Sequence, residues 1–219
     1  MQLFYRADTK RVCSLENFLK RKKVQKFYKN DYFCRVIVSN IMDPFKIISE
    51  YYEEDSPSYE ILVNHSRSVA QKALEIAEMH PEMNLDKNFI YEAAILHDLG
   101  VFATAAPEIH CFGKHPYICH GSIGSEILIH KGYVKHALVC ERHTGTGLSL
   151  DEIIKNALPI PARNMIPETP EEKLICFADK FYSKTKLGKE KSIDKIRMSL
   201  AKHGNESVRR FDEWCQFFL

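Results

Sequence analysis

The chain has 219 residues, 45% hydrophobic and 27% charged, which is ordinary for a globular protein of one or two domains. No apolar run reaches the ~18 residues of a membrane span, and the N-terminus lacks the apolar core of a secretory signal. The net charge of +2 is too small for a chain built as a whole around nucleic acid, but it is unevenly spread.

Residues 1–41 hold ten Lys or Arg, including the run Lys20-Arg21-Lys22-Lys23, against Asp8, Glu16 and Asp31. That is +7, which leaves −5 for the remainder. This segment is expected to be a basic N-terminal extension, either a solvated tail or residues upstream of the native start. A basic arm for nucleic acid is the alternative, but neither a stacking pattern nor a nucleic-acid fold accompanies the charge, so nucleic acid is not an expected partner. Tyr32 to Ser39 is the one strand-like stretch.

From Met42-Asp43-Pro44 onward the pattern is helical. Ser56-Pro57 is a cap and first-turn pair for a helix reaching about Met79, which Pro81 stops. Asp86 caps a second helix through Phe89, Ile90, Ala93, Ala94 and Leu96, with Gly100 expected in a left-handed C-terminal position. Residues 101–119 hold Pro107, Gly113 and Pro116 and are expected to form a long loop. Helices resume at Ser122–His130, Val134–Arg142 and Asp151–Ala157. Ser149 with Glu152 and Thr169 with Glu172 have capping-box spacing. The Pro-rich segment Leu158–Pro170 is a loop, and two shorter helices follow Gly188.

Six residues in this helical frame carry the chemistry: His65, His97, Asp98, His120, His143 and Asp179. His65 falls on the apolar stripe Ile61, Leu62, Val69, Ile76, where an imidazole needs a reason to be. His97-Asp98 and His143 mark helix ends, the latter before Thr144-Gly145-Thr146-Gly147. Asp179 follows the apolar string Leu174 to Ala178, where a carboxylate is costly to bury without a cation. A lone core histidine is more often hydrogen-bonded than ligating. Together, imidazoles and carboxylates in this pattern suit Fe, Mn, Ni, Co or Zn, and an adjacent His-Asp pair can serve two metals at once. The seven cysteines (13, 34, 111, 119, 140, 176 and 215) are odd in number and contain no C-x-x-C pair, which points to reduced thiols and a cytoplasmic location.

The ordered set H…HD…H…H…D resembles the HD superfamily of metal-dependent phosphohydrolases, and Leu99-Gly100 after the pair is similar to its HDIG subgroup. The resemblance covers about residues 42–186 and rests on five motifs in order: Asn64 to Ala70, Ala94 to Gly100, His120 to Leu128, Glu141 to Gly145, and Pro167 to Lys173 leading to Ala178-Asp179. It implies an all-α bundle around a metal site over 42–186; residues 187–219, outside the resemblance, are expected to be C-terminal helices packed on the same domain. It implies that His65, His97, Asp98 and Asp179 surround one divalent transition metal, and that Asp98 bridges to a second held by His120 and His143. His97 and Asp98 would be the catalytic pair. Arg142 stands where a second adjacent histidine is typical of the cyclic-dinucleotide hydrolases, and the GYP-type signature is absent, so that activity is not expected.

The implied reaction is hydrolysis of a phosphomonoester or phosphodiester by a metal-bound hydroxide, with a small phosphorylated substrate, a nucleotide included, as partner. Two alternatives stand beside it: a di-iron oxygenase of the same fold, and a non-catalytic nucleotide-binding module. Arg67, Lys114, His115, Arg142 and Lys180 are candidate substrate contacts, each equally readable as an ordinary surface base. His110 or His115 could protonate a leaving group or simply face solvent. Glu92 and Glu141 are candidate partners for the imidazoles.

Overall fold

The computed structural model describes residues 42–219. The basic segment and the strand expected at 32–39 lie outside the described residues. What is described is all-α: nine α-helices joined by 3-10 turns, with one pair of two-residue strands, Ala105–Ala106 and Cys111–Phe112.

Helix α1 (Pro44–Ile48) is capped by Asp43, whose carboxylate accepts from the amides of Phe45 and Lys46. Helix α2 (Pro57–Met79) starts as expected, with Ser56 Oγ accepting from the Tyr59 amide and Pro57 in the first turn. Its buried face is Leu62, His65, Val69, Ala73 and Ile76, a spacing of three to four that places His65 on the core side. Helix α3 (Lys87–Leu96), capped by Asp86, packs against α1, α2 and the later helices Val134–Arg142 and Pro170–Lys180. Consequently Ile90, Ala93, Ala94, Ile95 and Leu96 are all fully buried. A Leu96→Ala cavity here would cost about 2–5 kcal/mol.

Gly100 departs from the expected left-handed cap. The chain continues past His97 into a 3-10 turn over Leu99–Ala103, and Gly100 keeps a negative φ. Close approach explains the glycine. A Cβ there would lie 2.2 Å from the His120 carbonyl oxygen and 2.5 Å from the Gly124 amide nitrogen. The expected loop at 101–119 is also more ordered, with the strand pair and 3-10 turns at Pro107–Ile109 and Tyr117–Cys119.

Helix α4 (His120–His130) begins two residues earlier than expected and lies against α5 (Val134–Arg142). Gly121 permits this, since a Cβ would lie 2.6 Å from the Cys140 carbonyl oxygen. Helix α6 (Leu150–Lys155) carries the full Ser149–Glu152 capping box. At α7 (Pro170–Lys180) only half of the box forms: Thr169 caps Glu172, but the Glu172 carboxylate turns to Arg142 and the Glu168 amide. Half-buried Arg142 supplies the stronger, charged partner.

Helices α8 (Ile193–Leu200) and α9 (Asn205–Phe218) close the described chain. Phe211 and Phe218 of α9 stack on Phe177 of α7 at centroid distances of 5.3 and 5.4 Å. Arg210 of α9, buried, donates to the Gly147 carbonyl at 2.9 Å and to Thr146 Oγ1 at 3.2 Å. The C-terminal helix thus braces the loop that follows His143.

Candidate metal centre

All six His/Asp residues converge. His65 comes from the middle of α2, His97 and Asp98 from the end of α3, His120 from the start of α4, His143 from the end of α5, and Asp179 from the last turn of α7. They form two sets that could each hold a metal ion and that share Asp98: His65, His97, Asp98 and Asp179, and Asp98, His120 and His143. The ligand atoms within each set lie within 4.8 Å of one another.

Three of the histidines are oriented by the same local device. The Nδ1–H of His97 donates to the Ala94 carbonyl at 2.6 Å, that of His120 to Tyr117 at 2.6 Å, and that of His143 to Cys140 at 2.8 Å. Each acceptor is three residues back, where a helix or 3-10 turn is ending and its last carbonyls have lost their partners. A carbonyl can only accept, so each Nδ1 carries a proton, and Nε2 is the atom left to offer a lone pair whenever the ring is neutral. Glu92 and Glu141 do not supply this function. Glu92 meets His136 at 3.3 Å, and Glu141 accepts from Arg163 Nε at 3.0 Å.

The lone pairs then face one another. Nε2 of His120 is 3.0 Å from Nε2 of His143, and both are 3.3–3.5 Å from Asp98 Oδ1. His97 Nε2 is 3.0 Å from Asp98 Oδ2, while His65 Nε2 is 3.0 Å from Asp179 Oδ1 and 3.3 Å from Asp98 Oδ2. Buried His97 Nε2 and both Asp98 oxygens have no aligned hydrogen bond among the described residues. Convergent buried acceptors of this kind are costly unless a cation or proton sits among them. The donor set therefore fits divalent metal binding.

Without a metal, the carboxylates draw positive charge into the cluster as a proton on His97 and as the neighbouring lysine ammonium groups. Burial opposes charging of His97, but Asp98 and Asp179 overcome it and raise its pKa to about 9. Burial, and then the neighbouring His143, push His120 down to about 3. Asp98 and Asp179 are held well below the usual carboxylate range: burial works against this, and His97 with Lys184 for Asp98, and Lys180 with His65 for Asp179, outweigh it.

A cavity of about 370 Å³ opens onto His65 and Asp179. Of the candidate substrate contacts only Lys180 lines it, with Nζ 2.7 Å from Asp179 Oδ2 and 3.1 Å from the His143 carbonyl oxygen. Arg67 is exposed on α2, with its guanidinium 5.1 Å from the centre of the Phe45 ring. Lys114, His110 and His115 are exposed and outside the lining, and Arg142 is tied to Glu172 at 2.9 Å and Glu168 at 3.2 Å. Sequence reasoning missed Lys184 and Lys191, which do line the cavity. Lys184 Nζ is 2.6 Å from Asp98 Oδ2. The only sequence hint was a lysine-rich stretch directly after Asp179, which reads more simply as solvated.

A match to the HD domain family covers residues 62–183. The chain belongs to the HD-domain family. It is 28% identical over 155 residues to a tRNA (cytidine(56)-2'-O)-methyltransferase of Thermoplasma volcanium, covering 70% of this chain and 41% of that protein. It is 32% identical over 130 residues to an uncharacterised protein of Methanocaldococcus jannaschii, covering 58% of this chain and 69% of the relative. A second tRNA (cytidine(56)-2'-O)-methyltransferase, from Picrophilus torridus, is 30% identical over 129 residues, with 58% of this chain and 33% of that protein covered. The chain thus spans less than half the length of either methyltransferase. No solved structure matches. Among the described residues no helix is long and apolar enough to cross a membrane.

Proposed function

We propose that this chain is a metal-dependent phosphohydrolase of the HDIG subgroup that cleaves a phosphomonoester or phosphodiester in the cavity that opens onto His65 and Asp179. The observation that carries this reading is the pair of Nε2 atoms of His120 and His143, 3.0 Å apart, with Asp98 shared between both donor sets. When bound, divalent cations at these positions supply Lewis acidity and neutralise phosphate charge. The chain's own residues do the rest. Asp98 and His97, fully buried at the head of the cluster, fix the donor geometry, and the carbonyls of Ala94, Tyr117 and Cys140 hold the rings in the ligating tautomer. No Ser or Cys nucleophile is needed; buried Cys140 and Cys176 are spent on donating to the Leu96 and His143 carbonyls.

The substrate is a small phosphorylated molecule. Nucleotides are the first class to screen, because two relatives are named for action on tRNA. Methyl transfer itself is not carried over, since a cluster of imidazoles and carboxylates suits cations and water rather than an alkyl donor. The second reading, a di-iron oxygenase, draws on the same donor set, and a non-catalytic nucleotide-binding module is the third.

The deciding experiment screens phosphate esters and nucleotides with Mn, Fe, Co, Ni and Zn, then repeats turnover in 18O-labelled water. One labelled oxygen in the product, normally the phosphate, is expected. Label arriving from O2, with no anaerobic turnover, would replace the hydrolase reading by the oxygenase; nucleotide binding without turnover under any metal would replace it by the binding module.

A further inference from the structure

The family match ends at residue 183, yet the cavity wall does not. Lys184, Thr185, Lys191, Ser199 and Leu200 all line it, so one side of the cavity is built by the segment that follows. The cations on that side are not equivalent. Lys180 is committed, bonded to Asp179 and to the His143 carbonyl. Lys184 is close to Asp98 but without hydrogen-bond alignment, and its ammonium stands 5.8 Å from the centre of the Tyr117 ring. Lys191 is half-buried, and among the described residues it has no ion-pair partner; its backbone amide is anchored by the Phe181 carbonyl at 2.8 Å.

We propose that Lys184 and Lys191 form an anion subsite for the phosphate group of the substrate, which makes the segment after residue 183 a working wall of the site. This rests on the phosphohydrolase reading. Several observations converge on it. The cavity lining carries the carboxylates of Asp179 and Glu108, with Asp98 fully buried next to Lys184, and it repels a phosphate unless cations compensate. With Lys180 already committed to Asp179, the compensation left to meet a phosphate comes from the ammonium groups of Lys184 and Lys191. A divalent cation held by Asp98 would compete with Lys184 for the same carboxylate, and Lys184 already lines the cavity to which its ammonium would then turn. Lys191 already stands there without a carboxylate, held by a backbone bond that fixes where its side chain begins. Burial, with Lys180 and Lys184 nearby, makes its charge costly, outweighing the attraction of Asp179. An incoming dianion removes that cost.

The test is calorimetric titration of inorganic phosphate into the metal-loaded full chain, at fixed ionic strength, with metal content measured for every sample. Lys191→Met is expected to weaken phosphate binding by about ten- to a hundredfold, the range for one charge-assisted hydrogen bond, with metal content unchanged. Lys191→Arg should recover most of the loss. Lys184→Met should behave similarly, but it also removes the partner of Asp98, so Lys191→Met is the deciding variant. Wild-type affinity retained in Lys191→Met overturns the subsite while leaving the hydrolase reading intact. No phosphate binding by the wild type also overturns the subsite, and the ester and 18O assays then judge the hydrolase reading separately.

Discussion

Gly100 and His120 meet backbone to backbone, so closely that a single methyl group on Gly100 would fall 2.2 Å from the His120 carbonyl oxygen. The turn after the His-Asp pair and the first residue of α4 are therefore set against each other by the absence of one side chain. Gly100→Ala should push α4 away and His120 with it. We expect a loss of about 1–3 kcal/mol or more from overpacking, together with weakened metal uptake at the Asp98–His120–His143 set. Thermal denaturation and elemental analysis check this; wild-type values in both would show that the contact is slack.

The shared carboxylate gives an asymmetric prediction for metal content. Asp98→Ala should lose both metals, because both donor sets contain that residue, whereas His120→Ala should lose mainly the one it shares with His143. Turnover should fall by orders of magnitude in Asp98→Ala and in His97→Ala. Metal analysis at wild-type stoichiometry in Asp98→Ala would remove the bridging role.

In sequence Arg142 reads equally as a substrate contact or an ordinary surface base, and its environment predicts a structural phenotype. It is paired with Glu172, which is only 4% exposed. Arg142→Met leaves that carboxylate with the Glu168 amide alone and should cost about 1–3 kcal/mol, the penalty for an under-satisfied buried group. Urea denaturation reads the loss. A KM raised tenfold at unchanged stability would return Arg142 to the substrate.

Glu152 predicts an acid limb in the stability curve. Burial tends to raise its pKa, but the Ser149 amide and hydroxyl and the Arg210 guanidinium together hold it below the usual carboxylate range. The unfolded state then binds a proton more readily than the folded state. This contribution is complete above the unfolded value of about 4.3 and fades as pH falls through the lower folded value. Glu152→Gln should flatten this part of the pH–stability profile and lower stability at pH 7. A variant with an unchanged slope between pH 5 and 3 would mean that other carboxylates carry it.

Much of the helical frame was legible because its signals are local. Ser56-Pro57, Asp86 and Ser149 with Glu152 are caps whose hydrogen bonds close within three residues. The six convergent residues were legible because each violated its surroundings, above all His65 on an apolar stripe and Asp179 after five buried residues. The misses are non-local. Nothing in the sequence around Gly100 shows that α4 will lie on it, and the left-handed cap was the reasonable local answer. Glu172 has the spacing of a capping box, yet Arg142, thirty residues earlier, claims its carboxylate. Lys184 and Lys191 read as solvent-facing charge because their address depends on how the chain after α7 folds back over the cavity.

The bonds from Nδ1 to the carbonyl three residues back have a consequence for how the site would choose its metal. The direction in which His97, His120 and His143 point is settled inside each one's own turn, before any helix meets another. Tertiary packing is left to decide only separation. Small slides of α4 against α5 would change the gap between two lone pairs while leaving their aim intact. Preference among ions of similar chemistry would then be written in helix spacing, and so in the small residues Gly100, Gly121 and Gly124 that set it, far more than in the identity of the ligands.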